Sequence, residues 1–112
     1  MLIYHNPRCG KSRESLAFLK ELGFNPEIKE YLKTPPTFDE MTDLIQKLDI
    51  QPIALIRQKE KLFAEKFKEL RLTDADWIRV MVENPILIER PIIINQGKAV
   101  IGRPKENIFK II

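Results

Sequence analysis

Ile3-Tyr4-His5-Asn6-Pro7-Arg8-Cys9-Gly10-Lys11-Ser12-Arg13 is the stretch on which the reading of this chain turns. An apolar run stops, a polar turn containing proline follows, and a helical pattern begins, so the only cysteine falls where a strand hands over to a helix. At a helix N-terminus, unpaired backbone N–H groups and the positive end of the macrodipole favour a thiolate, which makes Cys9 a candidate nucleophile. Arg8, Lys11 and Arg13 lie within four residues of it and are expected to push the same way.

Moving outward, Leu2–His5 reads as a short buried strand. Ser12–Leu22 reads as a helix with Leu16, Leu19 and Leu22 on one face and Gly23 as its stop. Glu27–Tyr31 reads as a second strand, which completes a βαβ unit. Thr34-Pro35-Pro36 then breaks the chain. Thr37 and Glu40 form a capping-box pattern that opens a helix with Phe38, Met41, Leu44, Ile45 and Leu48 inward. A short helical segment over Ile53–Ile56, another over Leu62–Leu70, and a helix capped near Thr73 with Trp77, Val80 and Met81 inward fill the middle. Ile92–Ile94, the turn Asn95-Gln96-Gly97 and Ala99–Ile101 read as a hairpin, and a last helical stretch follows Pro104 to Ile112. The expected order is βαβ, an all-helical segment over roughly 37–84, then ββα, within one domain over 1–112.

Composition narrows the class. With 112 residues, 44% hydrophobic and 31% charged, the chain has the balance of a globular protein large enough for its own core. One cysteine excludes an intramolecular disulfide and a cysteine-rich zinc site, and it suits a reducing compartment. The start, Met1-Leu2-Ile3-Tyr4-His5, is not the pattern of a signal peptide, and no apolar run approaches bilayer length, so a cytoplasmic protein without membrane contact is expected. The net charge of +3 is spread through mixed Lys/Glu faces, which argues against nucleic-acid binding and leaves a small anionic substrate compatible.

Spacing removes two phosphate chemistries. A P-loop ending at Gly10-Lys11-Ser12 would need glycine at position 5, which is His5, and a Cys-x5-Arg phosphatase loop would need arginine at position 15, which is Ser15. Cys9-Gly10-Lys11-Ser12 instead has the form of a Cys-x-x-Cys redox motif with serine in the second place. A monothiol cannot resolve its own mixed disulfide, so turnover needs an external thiol. His5, the only histidine, is close enough in sequence to affect the thiol's proton or to be a satisfied structural residue. Arg57, Arg90 and Arg103 each sit at a segment end suited to forked hydrogen bonds to an oxyanion. Arg90-Pro91 before a strand admits a cis peptide.

Asn6-Pro7-x-Cys9-Gly10-x-Ser12-Arg13, Tyr31-Leu32-Lys33-Thr34-Pro35-Pro36 and Pro85-Ile86-Leu87-Ile88-x-Arg90-Pro91 together resemble the glutaredoxin-linked arsenate reductase family, nearly end to end. The resemblance implies an α/β thioredoxin-like fold with a mixed sheet and a helical insertion, and a cis Pro91 beside the thiol. It implies Cys9 as nucleophile, Arg57, Arg90 and Arg103 as oxyanion-binding residues, and His5, with Asn6, Gly10 and Ser12 of the loop, as tuning the cysteine. Arsenate would be the substrate, glutathione the reductant and glutaredoxin the partner, with no metal or bound cofactor and a monomer expected. Two other readings are an Spx-like redox-sensing regulator that docks on RNA polymerase, and a monothiol oxidoreductase acting on glutathione adducts.

Overall fold

The computed structural model describes every residue, Met1–Ile112. Two compact units are present: Met1–Thr34 with Arg90–Ile112, and Pro35–Glu89.

The first unit is built on a four-stranded mixed sheet of order β2-β1-β3-β4, from β1 (Leu2–Tyr4), β2 (Glu27–Lys29), β3 (Ile92–Asn95) and β4 (Lys98–Ile101). β1 runs parallel to β2 and antiparallel to β3, and β3 pairs antiparallel with β4. The β1–β2 crossover is α1 (Gly10–Glu21). Period 2 sorts the strands: Ile3, Ile93 and Val100 stand in register on one face and pack with Leu19 of α1 and with Ile108 and Ile111 of the C-terminal segment. Burying each large apolar side chain there contributes roughly 1.5–3 kcal/mol. The hairpin turn has Gln96 and Gly97 both at positive φ, 50° and 80°, the left-handed pair that a two-residue type I′ loop requires.

Helix α1 ends in a Schellman motif. Gly23 at φ 92° donates to Lys20 O and Phe24 donates to Leu19 O, while Phe24 joins Leu19 in the core. The helix therefore stops one residue before Leu22, which is left exposed rather than on the inner face. Strand β2 ends at Lys29 instead of Tyr31, because the N–H groups of Lys33 and Thr34 both turn back to Glu30 O and close a turn. Tyr31 is still fully buried and stacks on Tyr4. The last helical stretch is a 3-10 segment, Lys105–Lys110, with Pro104 as its cap.

The second unit is helical: α2 (Phe38–Leu48), α3 (Lys61–Lys66), α4 (Asp74–Glu83) and two 3-10 turns, Pro52–Leu55 and Pro85–Leu87. Thr37 and Glu40 form the expected capping box on α2, which buries Met41, Leu44 and Ile45. Thr73 caps α4, which buries Ile78 besides Trp77, Val80 and Met81. The helix expected over Leu62–Leu70 is shorter. After Lys66 the bonding changes to Lys68 N→Phe63 O and Leu70 N→Phe67 O, and Leu70 is exposed, so no apolar contact sustains another turn. An antiparallel bridge between Ile56 and Ile88 ties the two 3-10 segments together. No helix is long and apolar enough to cross a membrane. The sheet order and the helices between β2 and β3 are those of a thioredoxin-like α/β fold with a helical insertion.

Candidate functional site

Register brings the separated segments together. Tyr4 pairs with Ile92 and Ile92 with Ile101, so the end of β1, the start of β3 and the end of β4 share one edge of the sheet. The residues just beyond that edge are His5–Cys9, Arg90-Pro91 and Gly102-Arg103. The Arg90-Pro91 and Arg103-Pro104 peptides are both cis, and only the first was expected.

The loop from His5 to Cys9 is fixed by local hydrogen bonds. Asn6 is its hub: Oδ1 accepts from Arg8 N, the Asn6 carbonyl accepts from Cys9 N, and Asn6 N donates to Ser12 Oγ. Ser12 Oγ also lies 2.6 Å from His5 Nδ1, with both side chains buried. Ser12 Oγ accepts from Asn6 N and shares a second hydrogen bond with His5 Nδ1, so it ties the ring to the loop backbone. Burial holds the His5 pKa below its ordinary value of 6.5, against the pull of Glu30, with Arg13 and Lys20 pushing the same way as burial.

Cys9 is the N-cap of α1, and its carbonyl accepts the first helical bond from Arg13 N. Burial alone would push its thiol up. The Ser12 N–H, the Arg90 side chain and the Lys11 N–H outweigh that and leave the pKa below its ordinary value of 9.0. The neutral side chain makes no full capping hydrogen bond, so these donors reward the thiolate specifically. Arg103 Nη2 also approaches Sγ, at 3.6 Å. Arg103 Nε is buried and bonds no protein acceptor.

The cations nearest in sequence are not the ones that act on the sulfur. Lys11 pairs with Glu14, Arg13 donates to the Pro7 carbonyl, and Arg8 is exposed. Each side chain leaves the helix end in its own direction, whereas Arg90 and Arg103 are delivered by the sheet. His5 likewise spends its Nδ1 bond on Ser12 and not on the thiol.

Arg57 belongs to the helical unit. Its backbone N–H donates to Leu87 O, and its guanidinium pairs with Glu60 at 2.9 Å and Glu89 at 3.6 Å. Thus Cys9, Arg90, Arg103, His5, Asn6, Gly10, Ser12 and Pro91 share the first unit, and Arg57 lies in the second. No three His, Cys, Asp or Glu side chains form a metal-binding group.

Two positioning residues escaped the sequence reading. Ser15 Oγ donates to the Gly102 carbonyl at 2.7 Å, pinning α1 to the end of β4. Gly102 N donates to Pro91 O at 2.8 Å, extending the β3–β4 ladder to the cis-proline. A Cβ at Gly102 would lie 2.6 Å from Ile93 Cδ1 and 2.9 Å from Ser15 Oγ, so only glycine lets the chain pass here to present Arg103. The available signal was a polar residue on the inner face of a helix: Ser12, Ser15 and Leu19 follow each other at helical spacing and are all buried.

Comparison with known proteins is consistent across sequence and structure. The ArsC family model matches residues 4–111. An uncharacterized protein of Escherichia coli K12, YfgD, is 47% identical over 98% of this chain and 94% of its own length. An arsenate reductase of Neisseria meningitidis is 40% identical over 98% of this chain and 96% of its own. The solved structure of an arsenate reductase from Vibrio cholerae superposes with a TM-score of 0.94 at 42% identity, covering 99% of this chain and 96% of that one.

Proposed function

The chain belongs to the ArsC family, and from that premise we propose that it reduces arsenate to arsenite through a Cys9 thiolate–arsenic adduct, with glutathione and glutaredoxin supplying the electrons. The observation that carries this reading is the pairing of a lowered thiol pKa with a guanidinium 3.6 Å from the sulfur, whose Nε is a buried donor with no protein acceptor. A nucleophile and a spare cationic donor at one point suit a substrate that is both electrophile and oxyanion.

In this mechanism the Cys9 thiolate attacks As(V), an As–S bond forms, and one arsenate oxygen leaves as water after taking up protons. Arg90 and Arg103 offset the charge on the remaining oxygens. Glutathione thiol displaces a second oxygen, again as water. Glutaredoxin thiolate then attacks the glutathione sulfur. The S–As bond electrons pass to arsenic, giving As(III) on Cys9 and a glutaredoxin–glutathione disulfide. Water releases arsenite and returns the thiolate. The net change is arsenate plus two thiols to arsenite, water and one disulfide, with no resident metal or cofactor in the scheme. Ser12 explains why outside thiols are needed: the place of a resolving cysteine holds a hydroxyl bound to His5 and Asn6. A reducing cytoplasm keeps such a lone thiol ready between turnovers.

His5, Asn6, Gly10 and Ser12 hold the loop in which this chemistry runs, and Pro91 flanks it. Arg57 enters the scheme by family resemblance as a third oxyanion ligand. Its pairing with Glu60 and Glu89 means that binding an oxyanion requires it to exchange a carboxylate. The test is arsenate-dependent NADPH oxidation in an assay coupled through glutathione reductase and glutaredoxin, wild type against Cys9→Ser. Undiminished turnover in the variant would remove the assignment. Stable recovery of RNA polymerase with no arsenate turnover would favour the regulator reading, and activity on glutathione adducts without arsenate turnover would favour the monothiol oxidoreductase.

A further inference from the structure

Arg103 lies between β4 and the 3-10 segment Lys105–Lys110 and belongs to neither. Its guanidinium is not held by a carboxylate as that of Arg57 is: Nη2 stands 3.6 Å from Sγ, and Nε is buried without a protein acceptor. A long side chain whose head is not anchored takes its position from the main chain that carries it. Whatever fixes the backbone at Arg103 therefore decides where the charge falls relative to Cys9.

Three successive carbonyls at this point accept from side chains. Ser15 Oγ donates to the middle one, Gly102 O. Asn107 takes the two that flank it: its Nδ2 donates to Ile101 O at 3.0 Å and to Arg103 O at 3.3 Å. A carbonyl can only accept, so two carbonyl neighbours settle which end of the Asn107 amide faces them, and they use both protons of its NH2. Asn107 is itself well fixed. Its N–H donates to Pro104 O at 3.0 Å, and its neighbour Ile108 is fully buried in the core with Leu19 and Ile93. One half-buried side chain thus ties the end of β4 to the carbonyl of the residue that meets the sulfur.

We propose that Asn107 is a positioning residue for Arg103, clamping its main chain so that the guanidinium stays beside Cys9 and beside the oxyanion that Cys9 attacks. The oxyanion part rests on the proposed arsenate chemistry; the sulfur part rests on geometry. Small displacements of a group aimed at reacting atoms are expensive in rate, which is why a residue outside the site can matter to it. Asn95 supplies a matched control. Its Nδ2 donates to Ile111 O at 2.8 Å, a bond of the same kind at the far end of the same C-terminal segment, away from Arg103.

The experiment compares the rates at which iodoacetate and iodoacetamide alkylate Cys9. The thiolate fraction is common to both reagents, and only iodoacetate carries a negative charge, so the ratio of rates reads the positive charge beside the sulfur. At low ionic strength Asn107→Ala should lower that ratio about two- to fivefold, the scale of a partly solvated charge pair. Asn107→Ser, whose side chain is too short to span both carbonyls, should move it in the same direction. Asn95→Ala should leave the ratio unchanged while lowering the urea midpoint, since it too removes a hydrogen bond from the segment. Arg103→Gln should lower the ratio, and adding Asn107→Ala to it should lower it no further, because a residue that acts through Arg103 then has nothing left to place. An unchanged ratio in Asn107→Ala or in Arg103→Gln, an equal fall in Asn95→Ala, or a further fall in the double variant would each overturn the proposal. Arsenate turnover is scored separately. The expected alkylation pattern in a wild type that does not turn over arsenate removes the arsenate reading alone, and wild-type turnover with a ratio indifferent to Asn107 removes the positioning role alone.

Discussion

Arg103 and Arg57 are assigned the same task by family resemblance, yet the protein treats them in opposite ways. Arg103 follows a strand end, faces a sulfur at 3.6 Å and keeps a buried Nε without a protein acceptor. Arg57 follows a 3-10 turn and meets two carboxylates, at 2.9 and 3.6 Å, in ion pairs whose buried Nη1 makes no aligned hydrogen bond. A guanidinium is always charged, so what distinguishes the two is whether that charge is already answered. Arg103 holds a guanidinium beside the sulfur with one buried donor that no protein acceptor answers. Arg57 must first give up a partner, and part of any attraction it offers is offset by that loss.

The largest effect breaks the comparison at its centre. Cys9→Ser removes the nucleophile that gives both arginines their meaning, and arsenate-dependent NADPH oxidation should fall to background while circular dichroism stays native. Next comes Arg103→Gln. Loss of a charged hydrogen-bonding partner at a partly buried site costs about 2–3 kcal/mol, a fall of roughly 30- to 150-fold in kcat/KM for arsenate. The same variant should raise the pH midpoint of iodoacetamide alkylation at Cys9. An unchanged midpoint would show that Arg103 does not act on the sulfur.

Gly102→Ala tests how Arg103 is delivered. The new methyl would fall 2.6 Å from Ile93 Cδ1, within a core face that cannot shift freely. Overpacking of this kind costs about 1–3 kcal/mol of stability, read as a lower urea midpoint at constant m-value. The activity loss should exceed what the unfolded fraction explains, since Arg103 follows directly in the chain. Equal losses in both would leave Gly102 a packing residue only.

How far this site could be read from the chain depends on the kind of contact. Period 2 in Ile92–Ile94, the Gly97 turn and the Thr37–Glu40 box are local patterns, and each became the expected element. The family resemblance pointed to a cis Pro91. The link from Ser15 to Gly102 spans 87 residues and depends on sheet register, which no local pattern encodes. Sequence proximity also misled: Arg8, Lys11 and Arg13 crowd Cys9 in the string but send their side chains elsewhere, and the cations beside the sulfur come from positions 90 and 103. The partners of Arg57 show the same limit. Glu60 is near in sequence, but Glu89 meets it only because Ile56 and Ile88 pair.

Arg57→Gln should therefore behave differently from Arg103→Gln. It should leave the Cys9 alkylation midpoint where it is and raise KM for arsenate by only about three- to tenfold, because the wild-type residue already spends its charge on Glu60 and Glu89. A loss as large as that of Arg103→Gln would mean that the carboxylates yield Arg57 at no cost, and the contrast between the two arginines would disappear.

The smallest expected effect concerns His5, which stands behind the loop rather than at the sulfur. Burial lowers its folded-state pKa from 6.5, so between the folded value and 6.5 the unfolded chain holds a proton that the folded one does not. Stability from this group is complete above pH 6.5 and is lost as pH falls through the folded pKa. Urea unfolding of the wild type should therefore show a declining midpoint from pH 7.5 to 5.5. His5→Gln should start from a lower midpoint and decline less steeply over the same range. Parallel slopes would mean that the acid sensitivity comes from carboxylates, and that the His5–Ser12 pair fixes the loop without coupling it to pH.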